Sequence, residues 1–172
     1  EEFPWDSVQA MKDMGLMGMT SRTTYGGSGA PYAELAIASE EIARVCMSSS
    51  TTLLAHLSLG VSTIDKFAND EQSSKFLPSA NAGDTLVAWA LSEPSSGSDA
   101  ADMQTTAVRQ DSDSYLINGS KIFITNAEES GLIVVFVATD RTAGHRGTTA
   151  FVVNSDSKGI TMKGMHGKLG IR

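Results

Sequence analysis

Ala90-Leu91-Ser92-Glu93-Pro94-Ser95-Ser96-Gly97-Ser98-Asp99 is the stretch on which the fold turns. It follows a short apolar run, residues 86–91, that reads as a buried strand, and it passes into a loop of hydroxyl side chains and glycine. The hydrophobic period differs on its two sides. Before about residue 84 apolar residues recur at helical spacing; after it they come in short β-prone runs.

Working towards the amino terminus, residues 53–68 carry Leu53, Leu57, Val61, Ile64 and Ala68 at spacings of three and four, with residues 48–52 as a weakly helical lead-in. Residues 32–47 form an earlier helix whose core stripe is Leu35, Ala38, Ile42 and Val45, with Glu40, Glu41 and Arg44 largely off it. Tyr25-Gly26-Gly27-Ser28-Gly29 is a loop. Pro4 suits a first helical turn, and Val8 and Met11 share one face before Gly15 and Gly18 weaken the helix. Between the long helix and the strand, Asn69-Asp70 breaks the pattern. Asp70 is the expected N-cap of a helix through Phe76 and Leu77, which Pro78 bends or ends.

Working towards the carboxy terminus, residues 103–109, 132–138, 148–153 and 160–162 read as strands. Asn118-Gly119, between Tyr115-Leu116-Ile117 and Ser120-Lys121-Ile122-Phe123, predicts a hairpin with a type I′ turn. The fold class is therefore α+β: a helical bundle over residues 1–84, then a β-sandwich or small barrel over residues 85–172.

Composition narrows the function. At 172 residues and 41% hydrophobic, the chain is globular rather than disordered. A net charge of −7 argues against nonspecific nucleic-acid or anionic-membrane binding. No stretch approaches a membrane span. Cys46, the single cysteine, excludes an internal disulfide and reads as a small core residue. His56, His145 and His166 lack zinc-ligand spacing and read as structural or solvated. The opening residues read as a helix lead-in with no signal peptide before them, as if the chain begins inside a longer product.

The loop itself has the chemistry of an anion or cofactor site. Gly97 permits close backbone approach, the serines donate and accept, and successive N–H groups can form a nest. The same residue types also fit a surface turn. The decapeptide resembles the signature of the acyl-CoA dehydrogenase family, and other family-like pieces follow in order: Tyr25-Gly26-Gly27, Glu40-Glu41-Ile42-Ala43-Arg44, Phe76-Leu77-Pro78, Asn118-Gly119-Ser120-Lys121, Phe123-Ile124-Thr125-Asn126 and Lys168-Leu169-Gly170-Ile171-Arg172. The resemblance is closest to the short- and medium-chain, butyryl-CoA dehydrogenase-like branch.

The resemblance implies an amino-terminal helical domain and a middle β-domain, with the family's carboxy-terminal four-helix domain absent. It implies FAD as cofactor, acyl-CoA as substrate, an electron-transfer flavoprotein as acceptor and a homo-oligomer at full length. FAD contacts carry over to Trp89, Leu91, Ser92, Gly97, Ser98, Phe123, Ile124 and Thr125. Ser98 also takes the substrate side, or else satisfies its own loop. Trp89 and Phe123 each have a core alternative. Glu93 and Asp99 are read as loop-fixing rather than catalytic. The base is expected outside this chain, which alone is expected to have little dehydrogenase activity. Ser95-Ser96 departs from the family's usual glycine-containing pair and would strain the loop if positive φ were needed. An acyl-CoA oxidase or flavin monooxygenase of the same fold, and a non-catalytic binding or scaffold fragment, are the alternatives. The compartment stays open between bacterial cytoplasm and mitochondrial matrix.

Overall fold

The computed structural model describes residues 2–171; Glu1 of the helix lead-in and Arg172 of the last motif lie outside them. Helix α1, Trp5–Asp13, buries Val8 and Met11 as the spacing requires. Helix α2, Tyr32–Ala43, buries Leu35 and stops earlier than expected. Ile42 O accepts from both Val45 N and Cys46 N, so the chain turns there. Val45 is consequently 91% exposed and not part of the core stripe. Cys46, extended ahead of the next helix, is half-buried rather than a core residue.

The long helix is one continuous run in three parts: α3 (Met47–Leu54), a π-helical stretch (Ala55–Val61) and α4 (Ser62–Phe67). Its stripe of Leu53, Leu57, Val61 and Ile64 is buried as read from the sequence. Gly60 sits where this run meets the first strand. A Cβ there would come within 2.7 Å of Val87 Cγ1, so only glycine lets the two backbones approach so closely.

Helix α5, Asp70–Asn81, is capped by Asn69 rather than Asp70. Asn69 Oδ1 accepts from Gln72 N at 2.8 Å and Gln72 Oε1 accepts from Asn69 N at 3.0 Å, a reciprocal capping box. Asp70 falls in the first turn, where its charge favours the helix dipole. Pro78 lies inside α5 and does not end it, because buried Leu77 and Ala80 hold the last turn in place.

Among the described residues, five strands form one mixed sheet: β1 (Val87–Ala90), β2 (Thr106–Arg109), β3 (Tyr115–Asn118), β4 (Leu132–Ala138) and β5 (Thr148–Asn154). β5 pairs antiparallel along the whole of β4. On the other edge of β4, β1 pairs parallel from Val87↔Leu132 to Ala90↔Val135, and β2 joins parallel at Thr106↔Ala138. β2 and β3 pair antiparallel.

Asn118-Gly119 is not a hairpin turn. Asn118 ends β3 opposite Thr106, and the β2–β3 turn lies over residues 110–114, closed by Gln110 N to Ser114 O at 3.0 Å. Gly119 instead allows a close crossing, since a Cβ would lie 2.6 Å from Thr105 Cα. Residues 160–162 form no strand. Met162 packs against the cluster of Ala88, Ala90 and Ile133.

The helices cover one sheet face, where Leu53, Leu57, Leu77, Val87 and Val134 share a core. The opposite face buries Ala88, Ala90 and Ile133. A strand covered on both faces has no polar alternation, which explains the unbroken apolar run that announced β1. His56 pins these layers. It is fully buried; Nδ1 accepts from Val87 N at 3.0 Å, so Nε2 carries the proton towards Met17 O at 3.2 Å. Burial pushes its pKa down to about 4, keeping the ring neutral. The structural reading of His56 holds.

Candidate functional site

A recess of about 150 Å³ opens where the π-helical stretch passes the carboxy end of β1. Ala55, Leu59, Trp89, Ser92, Phe123, Ile124 and Thr125 line it. Five of the residues singled out in the sequence thus meet at one place: Trp89, Ser92, Phe123, Ile124 and Thr125. Leu91, Gly97 and Ser98 do not line it; Gly97 and Ser98 lie exposed further along the loop.

Trp89 is both anchored and available. Its ring meets Phe136 edge-on with centroids 4.9 Å apart, and Nε1 donates to Thr63 Oγ1 at 3.1 Å. Trp89 also lines the recess. Phe123 is not a core residue: it is 68% exposed, with φ +59. A left-handed φ is costly for an aromatic side chain, and burial does not offset that cost here. Asn126 also has positive φ, at +66, and its Nδ2 donates to Thr52 O at 3.0 Å. That bond ties residues 123–125 to the end of α3.

The loop after β1 is held by a buried ion pair. Lys121 Nζ reaches Glu93 Oε1 at 2.7 Å and Leu91 O at 3.0 Å. Glu93 also accepts from Gln104 N at 2.6 Å and Thr105 N at 3.0 Å. Ile122 N donates to Ser92 O at 2.9 Å. Burial by itself would raise the Glu93 carboxyl; the Lys121 ammonium and the Thr105 and Gln104 donors outweigh it and hold the pKa down to about 2. A carboxylate so held is a poor base, and it fixes the loop as the sequence reading expected. Asp99 contributes differently: its carbonyl accepts from Ser96 Oγ at 2.6 Å. Glu93 N to Ser96 O at 2.8 Å and Ser96 N to Glu93 O at 3.2 Å close the turn. Neither Ser95 nor Ser96 has positive φ, so the serine pair brings no backbone strain.

The recess has apolar walls, two hydroxyls and no titratable side chain among its lining residues. It can hold the face and polar edge of a flat ring but cannot itself move a proton. Among the described residues no His, Cys, Asp and Glu cluster could hold a metal. The sequence reading missed Ala55 and Leu59. Leu59 is an apolar residue off the buried stripe, and that misfit is the signal that it faces something other than the core.

A helical layer packed on a mixed sheet, with a small recess where a helix meets a strand end, defines an α+β protein. The acyl-CoA dehydrogenase N-terminal domain matches residues 1–84 and the acyl-CoA dehydrogenase middle domain matches residues 88–172. The chain therefore belongs to the acyl-CoA dehydrogenase family. It is 40% identical over its full length to a short-chain-specific acyl-CoA dehydrogenase of Clostridium acetobutylicum, covering 45% of that protein. The solved structure of butyryl-CoA dehydrogenase from Megasphaera elsdenii superposes with a TM-score of 0.88 at 35% identity, over 95% of this chain and 44% of that one. An acyl-CoA dehydrogenase from Bacillus anthracis, solved with FAD, superposes with a TM-score of 0.86 at 34% identity, over 98% of this chain and 29% of that one. The chain thus spans less than half the length of these relatives.

Proposed function

We propose that this chain is the helical and middle-domain part, residues 1–84 and 85–172, of a protein that oxidises acyl-CoA to trans-2-enoyl-CoA with FAD. The end of α5 at Asn81 and the start of β1 at Val87 support that division. The observation that carries the reading is the meeting of Trp89, Ser92, Phe123, Ile124 and Thr125 at one recess, with Phe123 exposed and held at positive φ.

These residues fit a flavin ring. Ala55, Leu59 and Ile124 supply apolar contact, Trp89 and Phe123 supply aromatic surface, and Ser92 and Thr125 offer hydroxyls to the polar edge. When bound, FAD supplies the acceptor for the hydride that leaves the substrate β-carbon. The chain's own residues bind, orient and exclude water. Leu91 and Gly97 add backbone contacts to the cofactor, and Ser98, exposed on the loop, faces the thioester side of the acyl-CoA. Following the family resemblance, the carboxylate that takes the α-proton is assigned to a part of the protein outside this chain; no residue lining the recess is a base. Losing such a base costs about 10²–10⁴-fold in rate, so the isolated chain has little activity. The whole protein assembles as a homo-oligomer and passes electrons to an electron-transfer flavoprotein.

The test is anaerobic mixing of the FAD-loaded whole protein with butyryl-CoA. Bleaching of the flavin absorbance, with enoyl-CoA formed, is the expected result. No bleaching with any straight-chain acyl-CoA would overturn the reading, and rapid oxygen uptake by the reduced protein would move it to an oxidase.

A further inference from the structure

The recess is made of two pieces of chain that are remote in sequence. Ser92 comes from the loop after β1, and Phe123, Ile124 and Thr125 come from the segment after β3. No sheet ladder joins the two pieces: the loop after β1 and residues 119–125 lie outside every strand. What joins them is Lys121, bonded to Glu93 and to Leu91 O, together with the Ile122 N to Ser92 O bond. The side chains of Lys121 and Glu93 are only 9% and 2% exposed. Lys121 bonds residues 91 and 93, on either side of Ser92, and itself stands two residues before Phe123. Glu93 spends its remaining acceptors on Gln104 N and Thr105 N, which lead into β2.

Resting on the flavin reading above, we propose that Lys121 and Glu93 form a positioning pair that sets the gap between the two halves of the cofactor recess. Neither residue lines the recess or touches reacting atoms. The pair acts through Ser92 on one side and Phe123 to Thr125 on the other. Buried pairs contribute little net stability relative to apolar replacements, which leaves geometric specification as the reason to keep one here. A lysine with one carboxylate and one carbonyl partner fixes two backbones at once, which an apolar contact does not.

The test uses the whole protein in four forms: wild type, Glu93→Gln, the double variant Glu93→Gln with Lys121→Met, and Lys121→Arg. The double variant leaves no buried charge unpaired, so it keeps the question open to measurement if the single change fails to fold. The readouts are the FAD dissociation constant, the fine structure of the bound-flavin absorbance band, KM and kcat for butyryl-CoA, and the thermal midpoint without FAD. In the double variant FAD binding weakens about tenfold, equivalent to about 1.4 kcal/mol, and the fine structure blurs. The apoprotein midpoint moves little, and the single variant Lys121→Arg, which keeps a cation beside Glu93, retains much of the wild-type affinity. A folded double variant with wild-type FAD affinity and an unchanged flavin band overturns the positioning role, as does a loss confined to the thermal midpoint. A wild-type protein that binds no FAD overturns instead the flavin reading on which the pair depends.

Discussion

Phe123 and Glu93 show opposite ways in which one residue serves the recess. Phe123 gains little from burial and sits at φ +59, a region that costs an ordinary L-residue about 1–2 kcal/mol. Phe123→Asn should therefore raise the thermal midpoint of the apoprotein while weakening FAD binding; a lowered midpoint in a denaturation scan would remove the strain argument. Glu93 is stabilised as an anion. Its pKa is about 2 in the folded state against 4.5 unfolded, so its contribution is complete above pH 4.5 and is lost as pH falls through 2. His56 has the same sign over a higher window: its pKa is lowered to about 4 from 6.5, so folding is favoured above pH 6.5 and weakened as pH falls through 4. Stability measured against pH should thus fall in two steps. Asp111 and Asp140 are also held below the usual carboxylate range, so Glu93→Gln should shrink the lower step and leave the upper one; identical pH profiles in both proteins would contradict the assignment. The Ser-Gly loop could be found from residue types, because it breaks both periodicities. The Lys121 contact could not, since 28 residues separate the partners and neither sits in a repeating pattern.

At the scale of elements, the two long signals were readable and the junctions were not. The stripe through Leu53, Leu57, Val61 and Ile64 and the apolar run of β4 each express one period over several turns or residues, and both stand in the structure where they were read. The end of α2 depends on a turn after Ile42 that no side chain announces, so Val45 was placed on a stripe it does not join. The Asn118-Gly119 hairpin failed because the glycine is required by Thr105, a partner remote in sequence. The π-helical stretch carries no sequence signature either, yet it is what brings Ala55 and Leu59 to the recess. Two element-level outcomes follow. Gly60→Ala forces a methyl group into Val87 and should cost about 1–3 kcal/mol by chemical denaturation, with FAD affinity falling as the helix moves off β1. Asn69→Ala removes the reciprocal cap of α5 and should cost about 1 kcal/mol with FAD affinity unchanged, because α5 does not reach the recess. Equal losses of FAD affinity in both variants would mean that the recess responds to general stability rather than to the helix–strand contact.

Across the whole molecule, the family was readable because its motifs fall in order along the chain, while the shape of the site emerged only when the layers came together. The helical half supplies one wall through Ala55 and Leu59, β1 supplies Trp89, and two loops supply the polar edge. Gly97 and Ser98, carried over with the rest, stand apart from this recess and are assigned to cofactor and substrate only by their place in the motif. The central claim is that this junction is where the flavin ring lies. The most direct measurement is the visible absorbance of the whole protein after incubation with FAD and desalting, for wild type and for Ser92→Ala combined with Thr125→Val. The account predicts a retained flavin spectrum in the wild type and at least about tenfold weaker retention in the double variant, the loss of two hydrogen bonds at about 1 kcal/mol each. Equal retention by both proteins would contradict it.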